Sequence, residues 1–103
     1  MRSSDFRRVY DEGSRVTGEY FAAFCSKRAD NAGARVGFTT PRKLGSAVIR
    51  NRAKRRTREA VRQLLDSLAP QWDIVFNPRR AILDAPFEEI KREVERVFSR
   101  CRR

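Results

Sequence analysis

The chain has 103 residues, 24 of them Lys or Arg, 13 Asp or Glu and none His, for a formal net charge of +11. That length suits one small domain, residues 1–103, around one core, and 40% hydrophobic residues, seven of them Phe, are too many for a disordered basic chain. The lack of His removes the commonest general base near neutral pH, no apolar run approaches the roughly 20 residues that span a bilayer, and two cysteines, Cys25 and Cys101, supply neither a disulfide framework nor a metal-ligand set.

In chain order, the first element is a short helix capped by Ser3 or Ser4. It carries Phe6, Val9 and Tyr10 at i, i+3 and i+4, and Gly13 suits its end. Residues 16–27, with the run YFAAFC, read as one strand. Tyr20, Ala22 and Phe24 fall on one of its faces and Phe21, Ala23 and Cys25 on the other. RADNAGA, residues 28–34, reads as the turn of a hairpin returning through RVGFTT, residues 35–40, which Pro41 ends. Residues 46–68 form a long helix begun by Gly45 and Ser46. Its stripe of Ile49, Ala53, Thr57, Ala60, Leu64 and Leu68 is about 100° wide, and Pro70 lies just past its end. WDIVF, within residues 71–77, is a third and buried strand. The last helix, residues 86–102, aligns Phe87, Ile90, Val94, Val97, Phe98 and Cys101, with Asp84 or Ala85 as N-cap and Pro86 at its first position.

This helix–strand–strand–helix–strand–helix order predicts an α/β (α+β) sandwich, a mixed sheet with helices packed on it. Strands 35–40 and 71–77 would lie parallel, with the long helix as their crossover. With no apolar leader segment at MRSSDFRRV, the expected setting is soluble and cytoplasmic.

The charge is concentrated. Between Asn31 and Arg58 there are nine Lys and Arg and no acid, so +9 of the +11 sits in about a quarter of the chain. Its centre is RNRAKRRTR, residues 50–58, with six cations. An ordinary solvated helix face interleaves Glu with Lys at i, i+4, and a membrane-surface helix needs a bulky apolar side. This helix has neither, since its stripe is rich in Ala and Thr. On a helical wheel Arg52, Arg55, Arg56, Arg58 and Arg62 spread across the side opposite the stripe, Lys54 lies near its edge, and Arg50 falls within it. Arg outnumbers Lys five to one here, which favours bidentate phosphate recognition. Exposed aromatics beside cations on a strand would add a platform for stacking single-stranded bases. No nucleophile–base pair or phosphate-cradling glycine loop accompanies them, so no self-sufficient protein active site is expected.

RVGFTTPRKLGSAVIRNRAKRRTREA, residues 35–60, resembles the signature of the bacterial ribonuclease P protein component, roughly R-V-G-x-x-x-x-K-K-x-G-x-A-V-x-R-N-R-x-K-R-x-x-R-E. DFRRVYDEG and WDIVF are similar to the family's as well. The resemblance implies the small subunit of a ribonucleoprotein that removes the 5′ leader from precursor tRNA. Catalysis would belong to the RNA subunit and its Mg²⁺, with no catalytic or metal-binding residue in the protein and one protein per RNA. Arg50, Asn51, Arg52, Lys54, Arg55, Arg56 and Arg58 would contact the catalytic RNA. Phe6, Val9, Tyr10, Phe24, Arg42 and Lys43 would line a cleft for the leader. The family's βαβ crossover is left-handed, against the usual rule.

The chain departs from the family at Pro41, where a Ser is usual, and at Arg42, where Lys is frequent. Only MRSS precedes Asp5, which implies a shorter first helix and fewer N-terminal RNA contacts. Three other readings compete. One is a ribosomal-type binder of structured RNA with no leader role. Another is a nuclease using carboxylates and metal, for which the acids form no cluster. A major-groove DNA reader lacks the second helix in a short turn.

Overall fold

The computed structural model describes residues 2–30, 32–68 and 70–101. Its elements are α1 (Ser3–Glu12), β1 (Ser14–Thr17), β2 (Phe21–Lys27), β3 (Arg35–Phe38), α2 (Ala47–Leu64), β4 (Trp72–Pro78) and α3 (Phe87–Arg100). Single 3₁₀ turns at Arg42–Leu44, Leu65–Ser67 and Arg80–Leu83 join them.

The sheet is mixed, in the order β1-β2-β4-β3. β4 pairs antiparallel with β2 and parallel with β3, which sets Val36 beside Ile74 and Phe38 beside Phe76. The parallel pair with α2 as crossover is as expected from the sequence. The hairpin between residues 16–27 and 35–40 is not: β4 lies between β2 and β3. Its run of four wholly buried residues, Asp73 to Phe76, makes it the strand fit to be covered on both faces and both edges.

Residues 16–27 are also two strands rather than one. They break at Gly18–Tyr20, where the buried Glu93 carboxylate of α3 accepts the backbone N–H groups of Glu19 at 2.8 Å, Tyr20 at 2.9 Å and Phe21 at 3.2 Å. Three charge-assisted hydrogen bonds stabilise a turn that strand propensity alone would oppose. A Cβ on Gly18 would lie 2.4 Å from Glu93 Cδ, so only glycine fits beneath the carboxylate.

The helix starts differ in two places. Ser3 and Ser4 lie inside α1, whose N-cap is Arg2, and Asp5 turns back to accept the Arg2 N–H at 3.0 Å. At α3 the N-cap is Pro86 rather than Asp84 or Ala85. The α2 start is as read: Ser46 is its N-cap and its hydroxyl accepts the Ile49 N–H.

One sheet face carries the core. Phe76 meets Phe21 edge-on at 5.0 Å, stacks on Phe38 at 5.8 Å and reaches Phe98 of α3 at 6.4 Å. Ala53, Ala60 and Val61 of α2, with Ile90, Val94 and Val97 of α3, close the layer. Each fully buried large side chain contributes roughly 1.5–3 kcal/mol. The short α2 residues let that helix approach closely. α1 covers part of the opposite face, burying Val9 over the sheet.

On that second face sits Asp73, fully buried near the start of β4, opposite Ser26 of β2 and Arg35 of β3. Three guanidiniums converge on it. Arg8 from α1 and Arg28 at the end of β2 each donate to its carboxylate. Arg35 of β3 grips both oxygens, Nε to Oδ1 at 2.9 Å and Nη2 to Oδ2 at 2.8 Å. Burial pushes the carboxyl up, but the hydrogen bonds from Arg35 and Arg28 outweigh it and hold it below its ordinary value. Arg28 also donates to the carbonyls of Pro70, at 3.0 Å, and Gly33, so it ties both neighbouring loops to the same point.

Asp73→Asn leaves three cations around a neutral amide and should cost about 3–5 kcal/mol in urea unfolding. A loss under about 1 kcal/mol would show the cluster to be dispensable. Because the folded carboxyl is depressed, its contribution is complete above the unfolded value near 4 and is lost as pH falls through the folded value. The stability gap between wild type and Asp73→Asn should therefore narrow below about pH 4.

Candidate nucleic-acid interface

The basic helix α2 stands on Ala53, Thr57 and Ala60, all fully buried, and on Val61. The Thr57 hydroxyl donates to Ala53 O at 2.8 Å, which satisfies it without disturbing the packing. With that side turned inward, Asn51, Arg52, Arg55 and Arg58 are exposed, and Arg50 and Lys54 sit half-buried at the margins. Arg50, which the wheel placed within the stripe, is half-buried rather than enclosed in the core.

Arg56 turns from the open face toward the neighbouring 3₁₀ turn. Its Nε donates to Ile82 O at 2.9 Å and its Nη2 to Ala85 O. The reason is angular. Seven residues beyond Ile49, it lies only about 20° outside the apolar stripe, beside the 3₁₀ turn Arg80–Leu83. Arg52 reaches the same turn, with Nη2 at 3.4 Å from Leu83 O. Arg58 lies over the Phe38 ring, 5.6 Å from its centroid. These contacts fix guanidiniums that would otherwise sample many rotamers. Arg62 pairs with Glu59 at 2.6 Å, and hydrogen bonding from Arg62 holds the Glu59 carboxyl below its usual range. The helix's first acid is thereby neutralised. A groove of about 480 Å³ runs between these arginines and Phe87.

The second surface is an open cleft of about 690 Å³ on the α1 side of the sheet. Of the six residues expected there, Tyr10 and Lys43 line it. Phe24 lies behind Tyr10, edge-to-face at 4.8 Å, with the Arg15 guanidinium 5.8 Å from its centroid. Phe6 is half-buried one turn before Tyr10, and Arg42 is exposed on the Arg42–Leu44 turn, outside the lining. Val9 is fully buried and cannot touch a ligand; it seats α1 and so positions Tyr10. Tyr20 does not share the Phe24 face. It belongs to the core beside α3, where its hydroxyl donates to Glu89 and that bond pushes its pKa up to about 12.

The cleft also holds residues that the sequence did not single out: Arg15, Thr39, Asn77, Arg79 and Arg80. The pair Arg79–Arg80 just after β4 was the available signal. Asn77 carried none, because its place depends on β4 lying beside β2. Arg80 donates to Leu44 O at 2.7 Å, tying the cleft wall to the segment that leads into α2. Among the described residues no group of three or more His, Cys, Asp or Glu comes together. Asp73 and Glu93 are engaged by arginines and backbone N–H groups, so the chemistry on display is anion and base binding.

A family model described as Ribonuclease P matches residues 1–102. A ribonuclease P protein component from Symbiobacterium thermophilum is 44% identical over 96 residues, covering 93% of this chain and 84% of its own length. One from Clostridioides difficile is 34% identical, covering 96% and 87%. Among solved structures, the ribonuclease P protein of Thermotoga maritima superposes with a TM-score of 0.85 at 27% identity, across 100% of this chain and 97% of its own. That of Staphylococcus aureus does so with a TM-score of 0.80, also at 27% identity, across 96% and 90%.

The two kinds of arginine separate experimentally. Arg56→Ala removes donors from two backbone carbonyls and should lower stability by about 1–3 kcal/mol. Arg55→Ala should leave stability within about 0.5 kcal/mol and instead reduce the slope of log affinity for RNA against log salt by roughly 0.7–0.9.

Proposed function

The chain belongs to the ribonuclease P protein family, and from that premise we propose how its two surfaces divide the work of the subunit. As a ribonuclease P protein component it takes part in tRNA processing and works with RNA. The α2 face docks on the catalytic RNA subunit, one protein per RNA, and the cleft takes the single-stranded 5′ leader of precursor tRNA. The observation that carries this reading is the backing of the charge: the densest run of cations lies on an ordered helix with buried Ala and Thr beneath it.

Exposed Arg52, Arg55 and Arg58 displace counterions from RNA phosphates, so association is steeply salt-dependent. Arg56, fixed on the 3₁₀ turn, contributes long-range charge and holds α2 in place. At the cleft, Tyr10 offers an aromatic surface for a base, braced from behind by Phe24. Arg15, Lys43 and Arg79 reach the phosphates on either side. Capturing the leader favours precursor over mature tRNA.

Hydrolysis is assigned to the RNA subunit and the Mg²⁺ it holds. The protein's own carboxylates do not fit as a metal cradle, because those brought into the interior are occupied by arginines or backbone N–H groups. Neutralising phosphates lets the RNA retain Mg²⁺ at lower bulk concentration. No helix among the described residues is long and apolar enough to cross a membrane. We place the complex in the cytoplasm, with the precursor transcripts. A general binder of structured RNA would use α2 alone; the cation-rimmed aromatic cleft favours the leader role.

Reconstitution with a bacterial ribonuclease P RNA should stimulate precursor cleavage most at low Mg²⁺, and absence of stimulation there would sink the central reading. Tyr10→Ala should weaken precursor binding by about 1–3 kcal/mol, the scale of one stacked base, while mature tRNA binding stays within about two-fold. Equal loss for both would favour the general RNA binder.

A further inference from the structure

Cys25 and Cys101 are the protein's two cysteines, both free and both buried. More than seventy residues separate them in the chain, yet the fold brings them to one place. Cys25 sits on β2, opposite Ser14 of β1 and Ile74 of β4, and joins the same core layer as Phe21 and Ala23. Cys101 is the C-cap of α3, its N–H donating to Phe98 O at 2.9 Å. The two thiols face each other, with the Cys101 S–H donating to Cys25 Sγ. Beside them, at the β1 edge of the sheet, is a pocket of about 380 Å³. Both cysteines line it, with Ser14, Arg15, Trp72 and Arg100, and no carboxylate does. A small solute in this pocket therefore meets both sulfurs. The pair is also unequal. Hydrogen bonding from Cys101, opposed by burial and aided by Arg100, holds Cys25 below the ordinary thiol value. The same hydrogen bond and burial push Cys101 up. One sulfur is thus disposed to attack as thiolate and the other to resolve the product.

We propose that Cys25 and Cys101 form a modification site for a small hydroperoxide, which converts the pair to a reversible disulfide clasping the end of α3 to β2. Cys25 Sγ attacks one peroxide oxygen, the O–O bond breaks, and Cys25 becomes a sulfenic acid. The departing hydroxide takes up the Cys25 proton as water. Cys101 Sγ then attacks Cys25 Sγ, the S–S bond forms, the S–OH bond breaks, and the second hydroxide leaves with the Cys101 proton. Two thiols lose two electrons and one hydroperoxide is reduced to two hydroxyl products, two waters when it is hydrogen peroxide. The bond closes a loop of more than seventy residues and so restricts the unfolded chain far more than the folded one.

The test treats the full chain with a few-fold excess of hydrogen peroxide. Peptide mapping should find Cys25 joined to Cys101 within one chain, and dithiothreitol should restore both thiols. The thermal midpoint of the oxidised protein should rise by on the order of 10 °C and return on reduction. In Cys101→Ala the Cys25 sulfenic acid has no thiol to condense with and should be captured by dimedone. In Cys25→Ala, Cys101 should stay unmodified at the same dose. Thermal melts check that both variants fold, and the wild-type mapping stands without them. The inference fails if peroxide joins only separate chains, if it carries Cys25 to the sulfinic acid with no bridge, or if neither thiol reacts. It fails equally if the bridge lowers the midpoint, or if Cys101 is oxidised in Cys25→Ala as readily as Cys25 is in Cys101→Ala.

Discussion

One buried carboxylate, Asp73, is the point on which the fold closes. Arg8, Arg28 and Arg35 reach it from α1, the end of β2 and β3, the elements that must be gathered around β4. An anion in the interior is costly unless paired and fully hydrogen-bonded, so the correct assembly is favoured and partial ones are penalised. A β2–β3 hairpin without β4 would leave three arginines facing one another. In a chain of net charge +11, such a site also draws cations inward, away from the repulsive surface.

The same economy of charge runs through α2. Its repulsion is partly relieved where Arg56 and Arg52 donate to carbonyls of the Arg80–Leu83 turn, and where Arg58 rests on Phe38. What stays open is a smaller and more ordered set of cations than the sequence suggested. Order matters for affinity, because a guanidinium already held in place loses less freedom when a phosphate arrives. The cleft follows a related rule: Val9 and Phe24 contribute by packing, and the groups they brace face outward.

Legibility tracked the range of the interactions involved. The α2 stripe, the α3 stripe and the buried run of β4 were readable because periodicity is local. The split of residues 16–27 was not, since it depends on Glu93 more than seventy residues away. Nor was the insertion of β4 between β2 and β3, because a turn-like RADNAGA suggests a hairpin whatever lies elsewhere. Asp73 hid within WDIVF, where a charge in an apolar run carries no sign of its three partners. Val9 was misassigned for a related reason: helical spacing groups residues on one face but does not say which of them lie beneath the helix. For Arg56 the wheel angle already pointed to the flank, and the density of neighbouring cations obscured it.

The strand order also has a consequence for how the protein is made. β4 is an inner strand but the last of the four to leave the ribosome, and until residue 78 has been added β2 is paired only with β1 and β3 has no neighbour. Until then the emerging chain displays a cationic α2 with only the β1–β2 pair beside it, together with three arginines awaiting one carboxylate. Non-local pairing of this kind delays closure until the relevant segments coexist. During that interval the nascent polypeptide is a polycation without a stable core, beside a machine built largely of RNA. Synthesis and assembly are thereby placed in a fixed succession: the last quarter of translation decides when this protein can tell one RNA from another.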